Sequence, residues 1–185
     1  MATVLLIDVG AVMSLTNSKW QDQALLFQLR TSFRIALSRV SERTERSRTM
    51  SLSIEGIDVP DSKLAHEITE LVRDTETPLL FHHSRRVYCW GALTGRRSRL
   101  SFDAELLYAG AMFHDMGLTS AHSSASERFE VDGANAARAF LRSHGIAQQN
   151  IDLVWTAIAL HTTPGIPQHM HPIVALVTAG VEMDV

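Results

Sequence analysis

Cysteine is nearly absent from this chain: Cys89 stands alone among 185 residues. A single thiol excludes an intramolecular disulfide framework and any multi-cysteine metal site. It suits a reducing compartment, so a cytoplasmic protein is expected. Long apolar runs are also missing. Nothing approaches the roughly eighteen consecutive apolar residues of a membrane-spanning helix. The opening MATVLLIDVGAVMSL is mildly apolar but lacks a basic leader and carries Asp8 in its centre, so no signal peptide is expected. An excess of positive charge is lacking too. The net charge of −3 and a pI near 6.3 give no argument for a nucleic-acid partner or an anionic membrane surface. Alternating β-branched patterns, internal repeats and low-complexity stretches are all but absent. What remains is a small-molecule protein of ordinary globular composition, with a homo-oligomer left open.

The length fits one domain with a substantial core, yet charge is unevenly placed. Residues 1–49 hold one Lys and six Arg against four acids, and residues 50–185 hold ten basic against sixteen acidic side chains. The first regime is an N-terminal extension, residues 1–49. It combines an amphipathic stretch over 21–40, with Leu25, Leu26, Leu29, Phe33 and Leu37 at helical spacing, and a mobile Arg- and Ser-rich connector over 38–50. Met50 could itself be the natural start, since MSLSIEGIDVPDS reads as the beginning of a domain. The second regime, 50–185, is the domain proper.

From Pro60 onward the pattern predicts helices nearly throughout. PDS starts one, with Leu64, Ile68, Leu71 and Val72 as its apolar stripe. Pro78 opens the next, over 79–93, and Gly95 with GRRSR reads as a loop. Ser101 or Asp103 caps a helix that runs to Met116 and is stopped by Gly117. Further helices are expected over about 131–144, 150–162 and 172–183, separated by Gly145 and by TTPGIP. The fold class is therefore all-α, a single bundle of about six helices.

The feature that carries chemistry is the dipeptide His114-Asp115, at the end of LLYAGAMF. Ionisable side chains in such an apolar setting are costly unless something pairs with them. Adjacent His and Asp offer an imidazole nitrogen and a carboxylate oxygen together. A histidine from the upstream pair His82-His83 can close a mixed N/O metal site of the kind that suits zinc, iron, manganese or nickel.

In order and spacing, HHSRRVYCWG, FDAELLYAGAMFHDMGLT, RFEVDGANAARAF and AIALHTTPGIP resemble the HD-domain superfamily of metal-dependent hydrolases. Within it they are most similar to the cyanamide hydratase-like branch. The resemblance covers about residues 58–185. It implies an HD-type helical bundle and one divalent metal, zinc first, with iron or manganese as alternatives. His83, His114 and Asp115 are the ligands it implies. His82 stands where an asparagine is commonly found in the hydratases and is assigned to the substrate side. His161 resembles a histidine that faces the active site as a further ligand or a proton shuttle, so Asp115 and His161 are the catalytic candidates.

The second aspartate that most HD hydrolases bring late in the chain aligns near Thr178. Thr178 is left either to hydrogen-bond substrate or to bond its own backbone, and Asp184, about two turns on, is a substitute for the missing acid. Glu130 and Asp132 replace histidines of two-metal relatives, which implies a mononuclear site, and Asp132 is expected to cap its helix. Arg86 is expected in a structural ion pair, Cys89 as a packed thiol, and His66, His122, His144, His169 and His171 at the surface or in loops.

The function these readings imply is a hydratase or hydrolase that adds metal-activated water to a small nitrile-type substrate such as cyanamide, giving urea. A rival is a phosphohydrolase acting on a nucleotide or phosphodiester, which would need cations such as Arg85, Arg86 or Arg96–Arg99 converging on the site. A metal-free ligand-binding scaffold is the third reading.

Overall fold

The computed structural model describes residues 53–54 and 56–184, and the helix and connector expected before residue 50 lie outside them. The described residues belong to one compact unit, 51–185. Six helices build it: α1 (Lys63–Thr75), α2 (Pro78–Arg97), α3 (Ala104–Phe113), α4 (Phe129–Ser143), α5 (Gln148–Ala159) and α6 (Pro172–Asp184). Short 3₁₀ turns occupy Met116–Leu118 and Pro167–His169. A hairpin of two antiparallel strands, β1 (Ser53–Ile54) and β2 (Ile57–Asp58), precedes the bundle. The fold is all-α, as expected. None of the described helices is long and apolar enough to cross a membrane.

Most helix starts follow from their capping residues. Ser62 accepts from the Ala65 N–H and Thr77 from the Leu80 N–H, and Pro78 fills the first position of α2. Asp103 accepts from the N–H groups of Glu105 and Leu106. The expected cap at Asp132 is not formed. Helix α4 begins at Phe129 with Arg128 in the capping position, which places Asp132 inside the first turn. Its carboxylate instead accepts from the Ser124 backbone N–H (2.6 Å) and the Ser124 hydroxyl (2.9 Å), fastening the preceding polar loop.

Two further boundaries differ from the sequence pattern. Helix α2 runs through Gly95 to Arg97. A Cβ at Gly95 would lie 2.5 Å from the Phe102 ring, so glycine is there for space rather than as a stop. Helix α3 ends at Phe113, before the His-Asp pair, and not at Met116. His114 keeps a helical backbone, whereas Asp115 (φ −100°, ψ 3°) turns out of it.

Helix α2 is the spine. It packs along α6 and α3, and α4 pairs with α5. The seat of α6 on α2 is nearly backbone on backbone: a Cβ at Gly91 would sit 2.6 Å from the Leu176 carbonyl oxygen, and one at Gly180 2.2 Å from that of Val87. The core includes Val87, Tyr88, Leu107, Met112, Phe113, Ile158 and Leu176, all essentially inaccessible to solvent. Cys89 packs within it, and burial raises its thiol pKa, as expected of a structural cysteine.

Candidate metal centre

Four ionisable side chains meet where α2, the end of α3 and the end of α5 converge. His83 comes from the second turn of α2. His114 and Asp115 come from the corner after α3, and His161 from the turn after α5. The corner is held by close backbone contact with α4. A Cβ at Gly117 would lie 2.0 Å from the Phe129 carbonyl oxygen, and one at Gly133 3.0 Å from those of His114 and Phe113. His114 is fully buried, His161 and Asp115 nearly so, and His83 half-buried.

The hydrogen bonds fix which nitrogen of each ring is free. His114 Nδ1 lies 2.8 Å from the Ala111 carbonyl oxygen, and His161 Nδ1 lies 2.6 Å from that of Ile158. A carbonyl only accepts, so each Nδ1 carries its proton and, in the neutral ring, each Nε2 presents a lone pair. His83 Nδ1 lies 2.6 Å from Asp184 Oδ2. Arg86 donates to both oxygens of that carboxylate, at 2.7 and 2.9 Å. The Arg86 bonds hold the Asp184 carboxyl below its ordinary pKa, so it is an anion that receives the His83 Nδ1 proton.

The free nitrogens point at one another. His83 Nε2 and His114 Nε2 are 3.2 Å apart, and Asp115 Oδ2 is 3.7 Å from the first and 3.4 Å from the second. The other Asp115 oxygen lies 3.8 Å from His161 Nε2, and the His114 and His161 rings meet edge to face at 4.9 Å. Burial lowers the pKa of His114 and of His161, which favours neutral imidazoles at neutral pH. Two imidazole nitrogens 3.2 Å apart beside a carboxylate are an arrangement that a cation among them can bridge. His83, His114 and Asp115 offer one ligand atom each, all within 4.8 Å of one another. The residues therefore fit a divalent metal with mixed nitrogen and oxygen donors.

The family model of the HD domain matches residues 80–179. The chain belongs to the HD domain family. That family is generally one of metal-dependent hydrolases, and this HD domain retains the histidine and the His-Asp pair that can hold the ion. No curated protein matches the chain.

The remaining expected residues fall at varying distances from this cluster. His82 is exposed on α2 and packs against the Phe81 ring, so it is not part of the cluster. Thr178 is buried in α6, and its hydroxyl has no hydrogen-bond partner. The bond to its own backbone, one of the two expectations, is not made. Arg86 forms the expected ion pair, and its partner is Asp184. Asp184 thus reaches the HD domain's first histidine on the side away from the other ligands, as an orienting carboxylate.

Glu130 is buried beside this region, but Arg128 and Thr162 both donate to it. Burial alone would raise its pKa; those bonds outweigh it and pull it down to about 2. His66 and His144 are exposed and bond Asp61 and Glu67, each at 2.6 Å, while His122, His169 and His171 lie in loops or the second 3₁₀ turn.

One residue escaped the sequence pattern. Glu76, in the connection between α1 and α2, is buried, and burial together with the Asp115 charge pushes its pKa up to about 8. Its text, DTETP, reads as an exposed link, and only the packing reveals otherwise.

Proposed function

We propose that this HD domain is a metal-dependent hydratase that adds water to a small nitrile-type substrate such as cyanamide, giving urea. The observation that carries the reading is the convergence of His83 Nε2, His114 Nε2 and the Asp115 carboxylate, with both opposite ring nitrogens already committed. When bound, a divalent metal, zinc first, supplies a Lewis acid that brings the pKa of a water towards neutrality. His83, His114 and Asp115 would hold it. Asp115 keeps its second oxygen 3.8 Å from His161 Nε2, and the Ile158 carbonyl oxygen orients that ring. His161, neutral and with Nε2 free, takes a proton from the attacking water. The unpartnered Thr178 hydroxyl donates to substrate.

A neutral substrate suits the charge around the cluster. The nearby arginines already have carboxylate partners, Arg86 in Asp184 and Arg128 in Glu130. Arg85 lies over the Phe81 ring, and Arg96 donates to the Gly56 carbonyl oxygen. A phosphate ester would ask for uncommitted cations. The test is elemental analysis of the purified chain together with urea release from cyanamide. Near-stoichiometric metal with urea formation is expected. Metal without urea, accompanied by hydrolysis of a nucleotide or phosphodiester, would overturn the nitrile reading.

A further inference from the structure

We propose that the first turn of α4 positions His161, with Glu130 as the anchor: its carboxylate holds Thr162 and so fixes the ring of the neighbouring His161 beside the metal cluster. The inference rests on the reading of His161 as the group that takes the proton from water. The place of His161 in the chain makes such an anchor necessary. Helix α5 ends at Ala159, and residues 160–171 form turns and one short 3₁₀ segment. The ring's own hydrogen bond, from Nδ1 to the Ile158 carbonyl oxygen at 2.6 Å, reaches only back into the end of α5. That bond sets the tautomer. It does not set the distance to Asp115, which stands on a different corner of the bundle.

Contacts with α4 supply the missing constraint. The Thr162 hydroxyl donates to Glu130 Oε1 at 2.5 Å, and the Phe129 ring meets the His161 ring edge to face at 5.6 Å. The same turn is pressed against the His-Asp corner, where the Phe129 carbonyl oxygen lies so close to Gly117 that a Cβ there would be 2.0 Å away. Two consecutive residues, Phe129 and Glu130, therefore touch both the corner that carries Asp115 and the turn that carries His161. The 3.8 Å between Asp115 Oδ1 and His161 Nε2 is thus held across one shared support.

The setting of Glu130 agrees with this role. The residue is only 1% exposed. Arg128 donates from Nε to Oε2 at 3.1 Å and from Nη2 to Oε1, so the carboxylate is itself fixed, and the same Nη2 lies 3.5 Å from the Thr162 hydroxyl oxygen. A buried ion pair adds little stability over a well-packed apolar pair, whereas its directional bonds specify one geometry. Geometry matters at His161, because displacing a reacting group by about 1 Å costs on the order of 10²-fold in rate.

The experiment compares zinc-loaded full-length wild type with Thr162→Val, Thr162→Ser and Glu130→Gln. Thr162 is exposed, so Thr162→Val keeps its shape and leaves the core untouched. It should retain zinc by elemental analysis and lower kcat for urea formation by about 10–100-fold with KM little changed. Thr162→Ser keeps the hydroxyl and should bring kcat back to within a few-fold of wild type. Glu130→Gln should fall between them, since an amide oxygen still accepts from Thr162 but without the charge. Should Thr162→Val not fold, Glu130→Gln carries the comparison with the same readouts. A nuclear Overhauser contact between the Phe129 and His161 ring protons gives a readout that needs no turnover; it should be present in wild type and lost or weakened in Thr162→Val. Unchanged kcat in the variant that folds overturns the proposal, and so does Thr162→Ser as slow as Thr162→Val. Loss of zinc, or a raised KM at unchanged kcat, also overturns it by giving the hydroxyl a different task. If zinc-loaded wild type forms no urea, the nitrile reading fails by itself. The ring contact then decides: its loss in Thr162→Val upholds the anchor, and its persistence overturns it.

Discussion

Replacing Asp184 should weaken metal binding although Asp184 does not face the other ligands. Its carboxylate receives the His83 Nδ1 proton at 2.6 Å, is itself held by Arg86, and has a side chain only 7% exposed. A charge-assisted hydrogen bond of this kind contributes about 1.5–3 kcal/mol, against about 1 kcal/mol for a neutral one. Asp184→Asn keeps a neutral acceptor and should cost about 1.4 kcal/mol, near a tenfold loss of zinc affinity. Asp184→Ala leaves the ring free to rotate and to exchange tautomers, and should approach a hundredfold, about 2.7 kcal/mol. Arg86→Ala acts at one remove and on a half-exposed pair, so its effect should stay below tenfold. The assay is competitive titration of zinc against a chromophoric chelator, with circular dichroism to confirm helix content. Unchanged affinity in Asp184→Ala would refute the orienting role. Complete loss of metal would mean that Asp184 is itself a ligand.

Alanine at His114 or Asp115 should remove metal and activity together, and full metal content by elemental analysis in either variant would break the proposed shell. Thr178→Val removes a buried hydroxyl that has no partner; it should stabilise the fold by about 1 kcal/mol in urea denaturation while impairing turnover with metal in place. Gly180→Ala should destabilise by about 1–3 kcal/mol or more by the same measurement, because its Cβ would meet the Val87 carbonyl oxygen at 2.2 Å. The pH dependence of the metal-free protein tests Glu76. Its folded pKa, about 8, lies above the ordinary value of 4.5, so the folded state binds the extra proton. The stability linked to that proton is fully present below pH 4.5 and is lost as pH rises through 8. Glu76→Gln should therefore flatten the decline between those values in thermal melts, and an identical slope would count against a buried neutral acid.

Much of the bundle was legible because its punctuation is local. Ser62, Pro78 and Asp103 act within one turn of the helices they open, and the apolar stripes repeat at helical spacing. Glycine was the unreliable mark. Gly95 and Gly117 look like stops, but both make room for another element, and that need is set by residues distant in sequence. Asp132 misled for the same reason, since its partner Ser124 lies in the preceding loop rather than in the helix. At the site, His83, His114, Asp115 and His161 stood out as ionisable groups in apolar text, and the fold brings them together. Glu76 and the work of Asp184 could not be read in advance. One sits in a polar link whose burial depends on packing, and the other, expected as a substitute for the missing acid of the metal shell, instead serves His83 from behind.

That last contact also orders events in time. His83 and Asp184 are separated by 101 positions, and helix α6 is seated on α2 through Gly91 and Gly180. A chain emerging during synthesis presents His83, His114 and Asp115 well before the carboxylate that fixes His83 exists. Until α6 has docked, His83 lacks the carboxylate that orients its ring, and an ion held by the proposed ligands would be bound more weakly. Tight capture of metal would thus be a late step, reserved for a chain that has closed its bundle, and unfinished or misfolded copies would compete poorly for the ion.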